Sequence, residues 1–193
     1  MRSVNQVHRT CWQDWADLDR RLLAVMRDCG SRPRVAVAAR ALSHGGEHAG
    51  LWLAAGLLCA SADRERRRSW LRGTFLVGAA HLASVGVKRV VRRPRPLLED
   101  AAPLVGVASR HSFPSSHATS AAAAAVVFGA LRPAGRRLVP PLAAAMCASR
   151  LIVGVHYPTD VAAGALLGGL TAGLGTAWMR AGGAGNRGGG RRV

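Results

Sequence analysis

The chain has 193 residues, 49% of them hydrophobic, and 27 basic residues against 10 acidic ones, for a formal net charge of +17. That length suits one domain with a sizeable core better than two. The charge alone would suit a nucleic-acid binder, but aromatic residues make up only 5% and Arg gathers at the ends of long apolar blocks; this argues against nucleic acid as a partner and for a bilayer with anionic lipid headgroups.

Residues 1–45 are expected to form an N-terminal interfacial region. From Asp17 to Cys29, apolar Leu18, Leu22, Val25 and Met26 recur at helical spacing with Arg and Asp opposite, the pattern of an amphipathic helix lying on a membrane surface or against a bundle. Arg34–Leu42 is a second apolar stretch, too short to span and interrupted by Arg40. Residues 46–179 are expected to be the transmembrane domain, an all-α membrane-embedded bundle of about five spans: Gly46–Ala62, Trp70–Val91, Ser116–Leu131, Leu138–His156 and Asp160–Met179. A span needs roughly 20 residues, so the first and third must extend or tilt. Residues 180–193, rich in Gly and Arg, read as a disordered basic tail able to lie on anionic lipid.

The loop 63–72 carries Arg64, Arg66, Arg67, Arg68 and Arg72, and the loop after the third span carries Arg132, Arg136 and Arg137. Alternation puts both, with the tail, on one side, the cytoplasmic one by the positive-inside rule. The connection 89–115 and the turn 156–160 then share the outer side of the cell membrane. That connection is itself Arg-rich, so something other than topology asks for cations there.

Three short polar segments meet at this outer face. The first runs from Lys88, the single lysine, to Arg95-Pro96; the second is Pro114-Ser115-Ser116-His117; the third joins Ser149-Arg150 to His156 and Asp160. Lys88, Arg95 and Arg150 can surround a dianion, and Arg can grip two oxygens at once. Ser115 and Ser116 open a helix whose first N–H groups form an anion cradle. Asp160 can reach back to orient one nitrogen of His156, leaving the other free to attack or to take a proton, and His117 stands beside the cradle as a general acid. Together these residues suit phosphoryl transfer by charge and positioning.

These segments resemble the signature of the type-2 phosphatidic acid phosphatase family, shared with vanadium haloperoxidases: K-x6-R-P, P-S-G-H and S-R-x5-H-x3-D. The one departure is Ser116, where the family usually has Gly. The resemblance implies a helical bundle that hydrolyses a lipid phosphate or diphosphate without metal or other cofactor. It assigns phosphorus attack to His156, orientation to Asp160, leaving-group protonation to His117, and phosphate binding to Lys88, Arg95, Ser115, Ser116 and Arg150. Polyprenyl phosphates, their diphosphates and phosphatidate-type lipids all remain open as substrates. The alternative is a lipid-phosphate binding or transport protein, which would be expected to lack one of the two histidines. A vanadium haloperoxidase would be a longer, soluble chain.

The remaining polar residues carry weaker signals. Glu47 and His48 start the first span near this face, either lining a headgroup pocket or capping a helix. His81, seven residues before Lys88, reads as a buried structural hydrogen bond rather than a proton relay. Glu99 and Asp100 are the other carboxylates of the outer connection. Gly164/Gly168 and Gly169/Gly173 repeat a small-xxx-small pattern, read as close packing within the bundle rather than dimerisation. Cys11, Cys29, Cys59 and Cys147 show no CxxC spacing, which argues against a zinc site or a disulfide framework. The start has no signal-peptide pattern.

Overall fold

The computed structural model describes residues 4–97, 102–107 and 109–185. Seven α-helices follow one another: α1 (Val4–Cys29), α2 (Pro33–Gly45), α3 (Gly50–Ala62), α4 (Arg67–Val91), α5 (Ser116–Gly129), α6 (Pro133–Ile152) and α7 (Pro158–Gly185), with a 3-10 turn, Glu47–Ala49, between α2 and α3. Among the described residues there is no strand, only an isolated bridge between Pro94 and His111. Glu99, Asp100 and residues 186–193 lie outside the described residues.

The Ala-rich α5 is the central helix, packed on α4, α6 and α7. Its small side chains let neighbours approach, and residues from Ala118 to Gly129 are largely buried. Gly164 and Gly168 press α7 onto it so closely that an added Cβ would meet the Ser115 carbonyl oxygen at 2.4 Å and that of Thr119 at 2.0 Å. Gly169 and Gly173 have open space around them. The first pair of the small-residue repeat therefore packs within the bundle, as close van der Waals approach in a membrane requires.

Around this core the exposed surface is apolar. Leu58 of α3, Phe75 and Leu82 of α4, Leu138 of α6, and Leu166, Leu174 and Trp178 of α7 all face outward. An apolar belt of this extent belongs against lipid or a partner rather than water. Among the described residues two helices, α4 and the Pro158–Met179 part of α7, are long and apolar enough to cross a membrane. Of the helices expected to span, the short ones are α3, with 13 residues, and α5, with 14. At about 1.5 Å per residue each covers only about 20 Å of a hydrocarbon core about 30 Å thick. For α5 the shortfall has a structural reason: sheathed by its neighbours, it needs no lipid-facing length.

The loops α3–α4 and α5–α6 meet at one end. Asp63 pairs with Arg132 at 2.6 Å and accepts from Trp70 Nε1 at 3.1 Å, while Arg66 donates to the Leu131 carbonyl at 2.6 Å. The α2–α3 turn, the described parts of the 92–115 connection and the α6–α7 turn lie at the opposite end, where the three motifs gather.

In α1 the apolar stripe faces away from the bundle: Trp15, Leu18, Leu22 and Val25 are exposed, whereas Asp19 and Leu23 are buried. The helix rests against α6 and α7, so it lies on the bundle with these apolar side chains outward. The helix docks through a different face, one residue round from the stripe.

Candidate active site

Helix capping builds the α6–α7 turn. Helix α6 ends in a Schellman motif: Val155 N donates to Arg150 O at 3.3 Å and Gly154 N to Leu151 O at 3.0 Å. Gly154 takes a φ of 78°, which a residue without Cβ adopts at little cost. Two residues on comes His156, only 2% exposed. Helix α7 then opens with Pro158 in its first turn, where a missing N–H is harmless. Asp160 reaches back to accept from Tyr157 N at 2.9 Å, half of a capping box. The carboxylate that caps α7 is thereby brought to His156, its Oδ2 lying 3.7 Å from the imidazole Nδ1.

On its other side the imidazole faces cations. His156 Nε2 lies 3.4 Å from Arg95 Nη1. Arg95 is anchored by bonds from Nη1 to Val155 O and from Nε to Ser109 O, both 2.7 Å. Lys88, buried at the last turn of α4, reaches the His111 carbonyl at 3.4 Å. Arg150, 3% exposed, donates to the Ser43 hydroxyl and keeps its Nε without a partner among the described residues. Burial, reinforced by Arg150, Arg95 and Lys88, pushes the His156 imidazole down to about 3 against the opposing pull of Asp160. At neutral pH the ring is uncharged; at 3.7 Å from Asp160 its Nδ1 makes no hydrogen bond among the described residues, and a proton placed there would leave the Nε2 lone pair available.

Six of the eight residues singled out in the sequence line one pocket of about 320 Å³: Lys88, Arg95, Ser116, His117, Arg150 and His156. The other two stand behind it. Ser115 caps α5, accepting from Ala118 N at 3.5 Å, and its own N–H binds the Asp160 carbonyl at 2.9 Å. Ser115 thus ties the start of α5 to the start of α7, while Ser116 faces the pocket. His117 donates Nε2–H to the Ser43 carbonyl at 2.9 Å, which leaves Nδ1 as its free nitrogen. It fits there because residue 46 is glycine; a Cβ would lie 2.5 Å from its ring. Glu47, His48, His44 and His81 line the same pocket. His48 and Ala49 have φ of 51° and 60°, a strained conformation for residues with a Cβ, of a kind that clusters at functional sites. His81 makes no hydrogen bond through its buried Nδ1 among the described residues, so the structural bond expected of it is not formed at that atom. Cys29, Cys59 and Cys147 are free thiols, and the side chain of Cys11 lies outside the described residues.

Three residues of this end carry no motif signal. Ser43, in the last turn of α2, holds Arg150 through its hydroxyl and His117 through its carbonyl. Arg93 donates from Nη1 to Asp160 Oδ1 and from Nη2 to Asp19 Oδ2, both at 2.8 Å. Its guanidinium stacks 4.1 Å above the Tyr157 ring. Burial opposes its charge, but Asp19 and Asp160 outweigh it and hold the guanidinium above its ordinary value. Arg93 could be noticed in sequence only as one of four arginines around Pro94, and Asp19 only as a polar residue opposite an apolar stripe.

A helical bundle that aims a neutral imidazole into a cation-lined pocket is built for phosphoryl transfer. Residues 70–183 match the PAP2 superfamily; the chain belongs to it and is a phosphoric ester hydrolase. The sequence is 51% identical over 148 residues to decaprenylphosphoryl-5-phosphoribose phosphatase of Mycolicibacterium smegmatis, covering 74% of this chain and 78% of that protein. The enzyme of the same name from Mycobacterium tuberculosis is 45% identical over 147 residues, 76% of this chain and 82% of that one. The fold superposes with a TM-score of 0.73 on the crystal structure of a transmembrane PAP2 type phosphatidylglycerolphosphate phosphatase from Bacillus subtilis, at 24% identity and over 86% of this chain and 87% of that one.

Proposed function

We propose that this phosphatase hydrolyses a membrane lipid phosphate through a phosphohistidine intermediate, and that its substrate is a phosphomonoester carried on a polyprenyl-linked sugar. The observation that carries the mechanism is the setting of His156, with Nδ1 toward buried Asp160 and Nε2 toward Arg95. Nε2 attacks phosphorus while Lys88, Arg95, Arg150 and the first turn of α5 hold the three non-bridging oxygens. The P–O bond to the lipid alcohol breaks as the N–P bond forms; His117, entering the step protonated on both nitrogens, gives the departing oxygen its Nδ1 proton and takes one back from the water of the second step. Water then cleaves the N–P bond and releases inorganic phosphate. The 3.7 Å between His156 Nδ1 and Asp160 closes into a hydrogen bond as the ring gains positive charge; catalytic hydrogen bonds often tighten only in the reacting complex.

The two mycobacterial-type relatives support the substrate class through their names, and the pocket supports it through Glu47, His44 and His48 beside the cradle. These are groups suited to sugar hydroxyls rather than to a second phosphate, because a carboxylate repels a second anion. In the membrane, helices α3–α7 cross the bilayer with the Arg-rich α3–α4 and α5–α6 loops inside and the pocket at the outer interface. Detergent-purified protein should release phosphate from a polyprenyl-phosphosugar bearing a phosphomonoester, and should do so in EDTA. Tight binding without phosphate release would favour a lipid-phosphate carrier. Faster release from a polyprenyl diphosphate would overturn the proposed substrate.

A further inference from the structure

The nucleophile's orienting carboxylate does not stand alone. Asp160 is fully buried and takes its charge partner from Arg93, an unspecified position within the first motif. Arg93 is shared: its second nitrogen binds Asp19, a 4% exposed carboxylate on α1, 74 residues away in sequence. Asp19 also accepts from Thr159 N at 3.0 Å and from the Thr159 hydroxyl, while that hydroxyl accepts from Arg93 at 2.7 Å. Asp19, Arg93, Thr159 and Asp160 thus form a closed clamp between the interfacial helix and the first turn of α7.

We propose that Asp19 is a positioning residue for catalysis, holding Arg93 against Asp160 so that the carboxylate keeps its oxygen on the His156 side. This rests on the reading of His156 as nucleophile. Arg93 is bonded to Asp160, the carboxylate behind the pocket to which the proposed mechanism assigns a dianion. Without a carboxylate behind it, a bound phosphate competes with Asp160 for its guanidinium. Asp160 then loses its ion pair, a costly state for a buried charge, and the imidazole it orients loses its fixed tautomer. Asp19 also offsets one positive charge at an end of the bundle already holding Lys88, Arg95 and Arg150. The helix that supplies it turns its apolar stripe outward, so the nucleophile's support comes from an element whose other face is free to sit in the membrane surface. Partners that orient a reactive imidazole from behind typically matter about 10- to 100-fold.

The test uses full-length protein in detergent micelles and compares wild type, Asp19→Asn, Asp160→Asn and the double variant by rapid quench with an activated phenolic phosphate. Asp19→Asn should slow formation of the phosphoenzyme about 10-fold or more, leave KM within about twofold, and leave the thermal midpoint close to wild type. In the Asp160→Asn background it should have no further effect, since the clamp acts through Asp160. Unchanged phosphoenzyme formation in Asp19→Asn would overturn the proposal, as would an equal loss in the Asp160→Asn background. Should Asp19→Asn unfold, Thr159→Val removes the two hydroxyl contacts of the same clamp and should show the same kcat-only loss, absent beside Asp160→Asn. Absence of any phosphoenzyme in wild type would instead overturn the nucleophile assignment.

Discussion

Arg95 Nη1 lies 3.4 Å from His156 Nε2, and the same guanidinium nitrogen is held by the Val155 carbonyl next to that histidine. The anchor of this cation is thus the residue next to the proposed nucleophile, so in the proposed mechanism phosphate gripped by Arg95 is delivered to Nε2. Arg95→Lys keeps the charge but loses the planar fork and its anchor at Ser109. It should lower kcat/KM about 100-fold, the scale of losing one oxyanion donor, with little change in thermal midpoint. Wild-type rates in steady-state assays of Arg95→Lys would show that charge alone suffices.

Burial of His156 fixes the sign of a pH effect. Its ordinary value is 6.5 and its folded value about 3. The unfolded chain therefore takes up a proton in this window that the folded one does not. Its contribution to stability is fully present above about 6.5 and declines as pH falls toward 3, by about 1.4 kcal/mol per unit. Thermal midpoints measured between pH 4 and pH 7 should fall less steeply in His156→Gln than in wild type. His156 also stays neutral at pH 5, so nitrogen NMR of labelled protein should show its ring with a single proton there. A ring titrating near 6.5 would mean that the pocket is wetter than its geometry.

The contact between α5 and α7 is tight enough to test by one methyl group. Gly168→Ala places a Cβ 2.0 Å from the Thr119 carbonyl oxygen, so the backbones must separate. A loss of about 1–3 kcal/mol is expected, typical of overpacking. The shift would pass to the start of both helices, where Ser115 and Asp160 are joined, and should reduce turnover as well. Gly169→Ala, with nothing within 4 Å, is the control and should be neutral. Equal midpoints for the two variants in thermal unfolding would contradict this packing.

Much of this architecture was legible in the sequence, and the reasons differ by element. Each apolar block became a helix because Ala, Leu and Val runs bounded by Arg, Pro or Gly leave little alternative, and Pro33, Pro133 and Pro158 stand in the first turns of α2, α6 and α7. His156 and Asp160 could be paired because four residues across a proline-started turn fix their separation. What stayed hidden was long-range. Ser43 reaches Arg150 across 107 residues, and Asp19 reaches Arg93 across 74; a lone Ser or Asp has no periodicity to betray its partner. The role of Ser115 was blurred for another reason. Two adjacent serines at a helix start look alike in sequence, and only the helix register decides which one caps and which one faces the pocket.

The proposed sidedness can be tested at the two ends of the bundle. In a background free of native cysteines, Gly106→Cys, beside the pocket, should react with an impermeant thiol reagent in intact cells. Arg67→Cys, at the start of α4, should react only after permeabilisation. Labelling in the reverse order would place the pocket on the cytoplasmic side and make the arginines near Pro94 ordinary positive-inside residues.

The most direct measurement is the mapping of the covalent intermediate. Rapid quench of wild-type protein with a phosphorus-labelled substrate should trap an acid-labile, base-stable phosphoenzyme on the peptide containing His156. Its formation should fall about ten-thousand-fold or more in His156→Ala, as expected when a nucleophile is removed. In His117→Ala the phosphoenzyme should still form, slowed more for an alkoxide leaving group than for a phenolate, because a good anion needs little general-acid help. Label that persists in His156→Ala, or that maps to the His117 peptide, would contradict the assignment of His156 as nucleophile.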